Sequence, residues 1–256
     1  MKNRFSTMLR VDVRRLLVSR LTYIMFAIAL LCPILILVMT TMMDGSVTVN
    51  PQTGVETEIK AFDSVWQAIA SRSDAGMTMD LTGMCNINLM YFAVVVWICL
   101  FVSEDFRSGY AKNLFTVRAK KTDYVASKTV AGLMVGTMFI LLWIVGSLIG
   151  GAVASLPFDT MGANYFNIVM CIISKIALMA VFVPIALAIS VAAKQRAWLS
   201  ICCALGGGML LFMMIPMLTP IDAGVMNAVL CLAGGAMFSF GLGAVSNLVL
   251  KRTALV

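Results

Sequence analysis

The sequence predicts an all-α integral membrane protein with six transmembrane helices and both termini in the cytoplasm. Three observations carry that prediction. Hydrophobic residues make up 61% of the 256-residue chain and charged residues only 12%, with a mean hydropathy of +0.97, too little polar surface to clothe a soluble domain. Uncharged runs of membrane length recur at 21–43, 85–103, 129–155, 165–193 (interrupted by Lys175), 197–218 and 223–250. Each is near the roughly 20 residues that cross a bilayer as helix, and none shows the two-residue alternation of a barrel strand. Basic residues are also segregated. Sixteen of the nineteen Lys and Arg fall at the N-terminus, in 104–128, at 194–196 and after the last run, while the intervening loops carry Lys60, Arg72 and eight acidic residues. With the four acidic residues on the basic side counted, the two sides sum to +12 and −6, which by the positive-inside rule places both termini inside. The net charge of +7 thus reports topology rather than a nucleic-acid surface, and the basic side is drawn to anionic lipid by roughly 1 kcal/mol per residue.

Residues 2–20 place Phe5, Met8, Leu9, Val13, Leu16 and Leu17 on one helical side and several Arg on the other, the pattern of an interfacial helix. The apolar run behind it is too long for a signal-peptide core, and no small-x-small site follows. Pro33 and Pro184 fall inside apolar runs and are expected to kink them. In the extracytoplasmic segment 44–84, Phe62, Val65, Trp66 and Ile69 form a short apolar face expected to rest on the outer leaflet.

The basic loop 104–128 reads EDFRSGYAKNLFTVRAKKTDYVASK. Phe106, Tyr110, Leu114 and Val117 recur at helical spacing and predict one apolar stripe, suited to the bilayer surface or a soluble partner. Glu104, at the head of that segment, is placed to cap a helix start and favour its positive dipole end.

Beyond the loop, Gly132/Gly136, Gly146/Gly150, the run 206–208 and Gly241 allow close helix approach, within the chain or at a seam between chains. Lys175 is the one charge deep in a span. A buried ammonium is costly unless it faces a cavity, a partner or water; the alternative is snorkelling toward the outer headgroups. Pro216 and Pro220 predict a turn near the end of the fifth run.

The chemistry is narrowed by what is missing. The seven Cys lie in or beside apolar runs without disulfide or zinc spacing, the 21 Met are scattered, and the chain has no His. No G-x-x-x-x-G-K-[ST] loop, G-x-S-x-G elbow or H-E-x-x-H is present, nor any intramembrane pair of acids. No catalytic residue, metal site or cofactor is therefore assigned, and any active transport draws its energy from another subunit.

The E-x-x-x-x-G of Glu104 to Gly109, the apolar-basic stretch after it, and the K-x-x-Y-x-x-x-K of Lys121, Tyr124 and Lys128 resemble the permease subunits of ABC type-2 exporters. Six spans, an interfacial N-terminal helix and the chain length fit that family across nearly the whole sequence. The resemblance implies a bacterial inner-membrane permease that pairs with a second permease subunit, with separate P-loop ATPase subunits, holding ATP and Mg, docked beneath. It implies that the 104–128 loop, with Glu104, Phe106, Gly109, Tyr110 and Leu114, acts as a coupling helix. Length and the outer segment are most similar to small permeases of lantibiotic immunity and peptide or drug efflux. Lys175 would then meet an anionic or carbonyl group of the cargo. Two other classes stand beside this one: a secondary transporter, which needs midplane coupling groups and an internal repeat, and a non-transporting sensor or immunity protein whose loop serves a different soluble partner.

Overall fold

The computed structural model describes residues 4–49, 56–58, 61–72, 86–116, 120–212 and 214–252. In chain order the elements are α1 (Arg4–Val18), α2 (Arg20–Met42), β1 (Val47–Val49), β2 (Glu56–Glu58), a 3-10 turn (Val65–Ala68), α3 (Leu89–Arg107), α4 (Tyr110–Thr116), α5 (Lys121–Val153), α6 (Tyr165–Ala193), α7 (Ala197–Phe212), α8 (Ile215–Leu218) and α9 (Val225–Arg252). Five of these, α2, α3, α5, α6 and α9, are long and apolar enough to cross a membrane. The protein is a multi-span all-α membrane protein.

The fifth apolar run departs from the expected single helix. It forms the 16-residue α7 and the four-residue α8. At about 1.5 Å per residue α7 spans roughly 24 Å, short of the roughly 30 Å hydrocarbon layer. Pro216 sits in the first turn of α8, where its missing N–H costs nothing but its ring bars a continuous helix. The proline turn expected from sequence is therefore present.

α3, α5 and α6 form the centre of the bundle, and most of the largest enclosed side chains, among them Trp97, Trp143, Tyr91, Tyr124, Phe139 and Phe182, come from them. α2 lies along α5 and α9 along α6. Both outer helices keep apolar faces exposed, including Ile24, Ile28, Leu31 and Leu35 on α2 and Val229, Leu232, Met237 and Phe240 on α9. Such faces suit lipid, which accepts apolar side chains without penalty.

Glycine sets the α2–α5 approach. A Cβ at Gly146 would lie 2.3 Å from the Leu30 carbonyl oxygen and 2.6 Å from Pro33, and one at Gly150 would lie 2.8 Å from Ile34 Cα. Gly132 and Gly136 meet side chains of α6 in the same way, so these pairs serve packing within the chain. Among the described residues nothing lies within 4 Å of a Cβ placed at Gly206, Gly207 or Gly241, and the expectation of close packing fails for them inside one chain. Gly146→Ala is accordingly expected to lower stability by about 1–3 kcal/mol, because backbone rather than a flexible side chain must yield. Gly206→Ala is expected to be neutral or stabilising. Thermal unfolding of the two variants in detergent checks this, and equal losses would refute it.

The segment expected on the outer leaflet is instead tucked into the bundle. Phe62, Val65, Ala68 and Ile69 are buried, with Val65 seated on Gly151. The reason is a set of bonds that hold the 3-10 turn down. Ser64 Oγ caps the Trp66 amide and donates to the Asp159 carbonyl; Trp143 Nε1 and the Ile87 amide both donate to the Ala68 carbonyl. β1 and β2 form a small antiparallel ribbon in the same segment of the chain, pairing Val47 with Glu58. This end is opposite the one where the basic residues collect.

Candidate functional site

The basic end is built where α5 outruns the bilayer. Its 33 residues extend about 50 Å, and its first two turns, Lys121 to Lys128, carry the motif residues Tyr124 and Lys128 four apart on one face. α1 lies against this stretch. Its buried stripe is Met8, Asp12 and Leu16, narrower than the apolar side expected, since Phe5 and Leu17 are exposed. An acid in the middle of that stripe needs a partner.

It finds two. Asp12 Oδ1 lies 2.7 Å from Lys128 Nζ, and its Oδ2 accepts from Ser127 Oγ at 2.5 Å. Lys128 Nζ also lies 2.7 Å from Asp105 Oδ2 in the last turns of α3. Asp105 is completed by Tyr124 OH, 2.9 Å from Oδ2, and by Arg15 Nη1, 2.5 Å from Oδ1. Asp12, Asp105 and Lys128 are all essentially inaccessible. Two carboxylates and two cations sum to zero charge, and each carboxylate oxygen has a donor, the condition under which burial of ions is tolerable. Burial acts to lower the Arg15 pKa, but the charge and hydrogen bond of Asp105 outweigh it and hold it above its ordinary value.

The short helix α4 hangs from this network. The Arg15 guanidinium lies 4.3 Å over the Tyr110 ring, a cation–π contact, and Phe115 meets Tyr124 edge-on at 5.5 Å. Gly109 joins α3 to α4 at φ +73°, a left-handed turn that a side chain would strain.

Three sequence expectations change here. Phe106 belongs to α3, not to the short helix, because the Gly109 turn breaks the stripe. Phe106 and Leu114 pack against the chain's own core rather than facing outward, and Val117 lies outside the described residues. Glu104 is exposed and sits near the end of α3 rather than at a helix start, so it caps no amide; its carbonyl accepts from Ser108 N and Oγ instead. The face that α3 and α4 leave open carries Glu104, Arg107, Ser108, Lys112, Asn113 and Thr116. Lys121, the first motif residue, donates to the Leu250 carbonyl at 2.6 Å and so ties α5 to the end of α9, where a cation complements the helix dipole.

Sequence reasoning missed Asp12 and Asp105. Both were detectable as acids at four-residue spacing from apolar neighbours: Met8 and Leu16 flank Asp12, and Phe101 precedes Asp105 by one turn.

Lys175 lies far from this network. It is 1% exposed and does not snorkel. Its ammonium donates to Asn88 Oδ1 at 3.1 Å and Thr219 Oγ1 at 3.0 Å, and its carbonyl accepts from Tyr91 OH. Among the described residues no carboxylate reaches it.

A model of the family described as ABC-2 family transporter protein matches residues 13–211, from within α1 nearly to the end of α7. No curated protein and no solved structure matches the chain. The matched stretch takes in Lys128, Asp105 and Arg15 of the network, the short helix α4, and well over half of the sequence, so the chain belongs to the ABC-2 family of transporter proteins, as a membrane-spanning permease.

Proposed function

We propose that this permease is one of two paired membrane subunits of a bacterial inner-membrane exporter of a peptide, drug or other amphipathic compound. A separate P-loop ATPase, holding ATP and Mg, docks on the exposed face of the Glu104–Thr116 region and drives it. Family membership supports an ATPase partner in general. The observation that carries the docking site is the buried network, which ties α4 to α1, α3 and α5 through Tyr110, Phe115 and Asp105. A push on α4 therefore reaches three helices without bending a flexible link. In this arrangement Phe106, Tyr110 and Leu114 hold the coupling helix in place, Gly109 sets its angle, and Arg107, Lys112 and Asn113 meet the partner.

Purification of the tagged chain from its own membranes in mild detergent is expected to recover a stoichiometric P-loop ATPase, with no ATP turnover by the chain alone. Arg107→Glu with Lys112→Glu should cut that recovery roughly tenfold while insertion is unaffected, since reversing charges at an interface weakens association. Undiminished recovery moves the docking surface elsewhere. Turnover by the pure chain, or no ATPase under any condition, sinks the reading in favour of the sensor or secondary-transporter classes.

A further inference from the structure

We propose that the cleft between α5 and α9 at the basic end seats an anionic, hydroxyl-bearing phospholipid such as phosphatidylglycerol, held by its headgroup beside Asn247 and Lys251. The two helices draw together at Gly243, where a Cβ would lie 3.9 Å from Val125, and leave an open slot of about 430 Å³. That volume falls within the roughly 300–1,000 Å³ of small-molecule sites. Its walls are mainly apolar, with Val125, Ala126, Phe240 and Ala244. Flanking residues Phe240, Leu248, Met134 and Met138 are exposed, so the slot opens on the side where acyl chains lie.

Its polar groups collect toward one end. Ser239 already donates to the Ala180 carbonyl and Thr129 to the Val125 carbonyl, and both hydroxyl protons are thereby committed. Asn247 is different. Its Oδ1 is buried with no hydrogen-bond partner among the described residues, and an orphaned acceptor of this kind costs free energy until a donor arrives. Lys251 lies four residues further along α9, on the same face by helical spacing, and it and Arg252 are exposed. Lys120 is exposed at the start of α5, and Lys121, beside the lining residue Thr122, donates to the Leu250 carbonyl.

Read from the bundle centre outward, the slot offers an apolar channel, then an acceptor seeking a donor, then exposed cations. An amphiphile with an acyl chain, a headgroup hydroxyl and a phosphate presents the matching order. A zwitterionic lipid without net charge satisfies the slot but gains little from the cations, each worth about 1 kcal/mol toward anionic lipid.

The test uses the full-length protein in mixed micelles of phosphatidylglycerol and phosphatidylcholine, with retained lipid read by native mass spectrometry. One phosphatidylglycerol is expected to remain on the parent protein. Ala126→Trp with Ala244→Trp, both at exposed positions, should abolish that retention while leaving the unfolding temperature in phosphatidylcholine unchanged. Lys251→Gln with Arg252→Gln should lower the preference for phosphatidylglycerol roughly tenfold or more. Equal retention of the two lipids by the parent, or phosphatidylglycerol retained undiminished with the slot filled, overturns the proposal. So does efficient disulfide crosslinking of Ala244→Cys between two copies in liposomes, in a background without native Cys, because the slot would then be a seam between permeases.

Discussion

Lys128→Met is expected to destabilise the protein by about 3–5 kcal/mol, the range seen when one partner of a buried ion pair is removed. The side chain sits between Asp12 and Asp105, 2.7 Å from each, and its loss leaves two inaccessible carboxylates with only Arg15 to balance them. Asp105 keeps Arg15 and Tyr124; Asp12 keeps only Ser127. Adding Asp12→Asn to Lys128→Met removes the surplus negative charge and leaves an acceptor for Ser127, so the double variant should recover at least half of the loss. Unfolding temperature in detergent and expression level in membranes measure both steps. A large loss that Asp12→Asn does not recover would mean that Lys128 acts through its contact with the Phe101 ring, 4.0 Å away, rather than through charge. The same lesion should loosen α4, since Arg15 bridges Asp105 and Tyr110, and recovery of the ATPase should fall in step with stability.

The span pattern was legible because lipid imposes it: with no water to bond the backbone, length and hydropathy alone nearly decide where helices run. The close helix contacts at Gly132, Gly136, Gly146 and Gly150 were legible too, since only a residue without a side chain lets a neighbouring helix come so near. What failed was the direction in which partly apolar stretches face. Spacing put Phe106, Tyr110, Leu114 and Val117 on one stripe, but periodicity carries no information about a single left-handed turn, and Gly109 breaks the helix between Phe106 and Tyr110. In the outer segment, Phe62, Val65 and Ile69 are apolar for the same reason whether they meet lipid or helix. The bonds from Ser64 and Trp143 that decide the matter span residues nearly a hundred or seventy-five apart. The network at the basic end escaped for a related reason. Asp12 and Asp105 were read as part of a charge balance, and a balance counts charges without asking which face of a helix carries them.

Lys175→Met is expected to destabilise the protein by no more than about 3 kcal/mol and to lower cargo-coupled ATPase several-fold. A Lys at the middle of a span costs roughly 2.5–3.5 kcal/mol to insert, and its two hydrogen bonds, each with a charged donor, return about 1.5–3 kcal/mol apiece. The terms offset in part, leaving at most about 3 kcal/mol in favour of Lys, and Met preserves the apolar stem. What Met cannot supply is the tie between Asn88, at the head of α3, and Thr219, just past α8, which Lys175 joins across 87 and 44 residues of sequence. Thr219 keeps its own bond to the Ile215 carbonyl, so the loss falls on the link and not on the α8 turn. Since the position is 1% exposed, Lys175→Cys should resist a membrane-impermeant thiol reagent in the nucleotide-free protein; labelling that appears only with ATP bound would show this tie opening to water during the cycle. The background must lack the native Cys, because Cys171 is one helical turn away. Full activity in Lys175→Met, together with no labelling at 175 in any nucleotide state, would reduce the residue to a neutral structural peg and remove it from the transport mechanism.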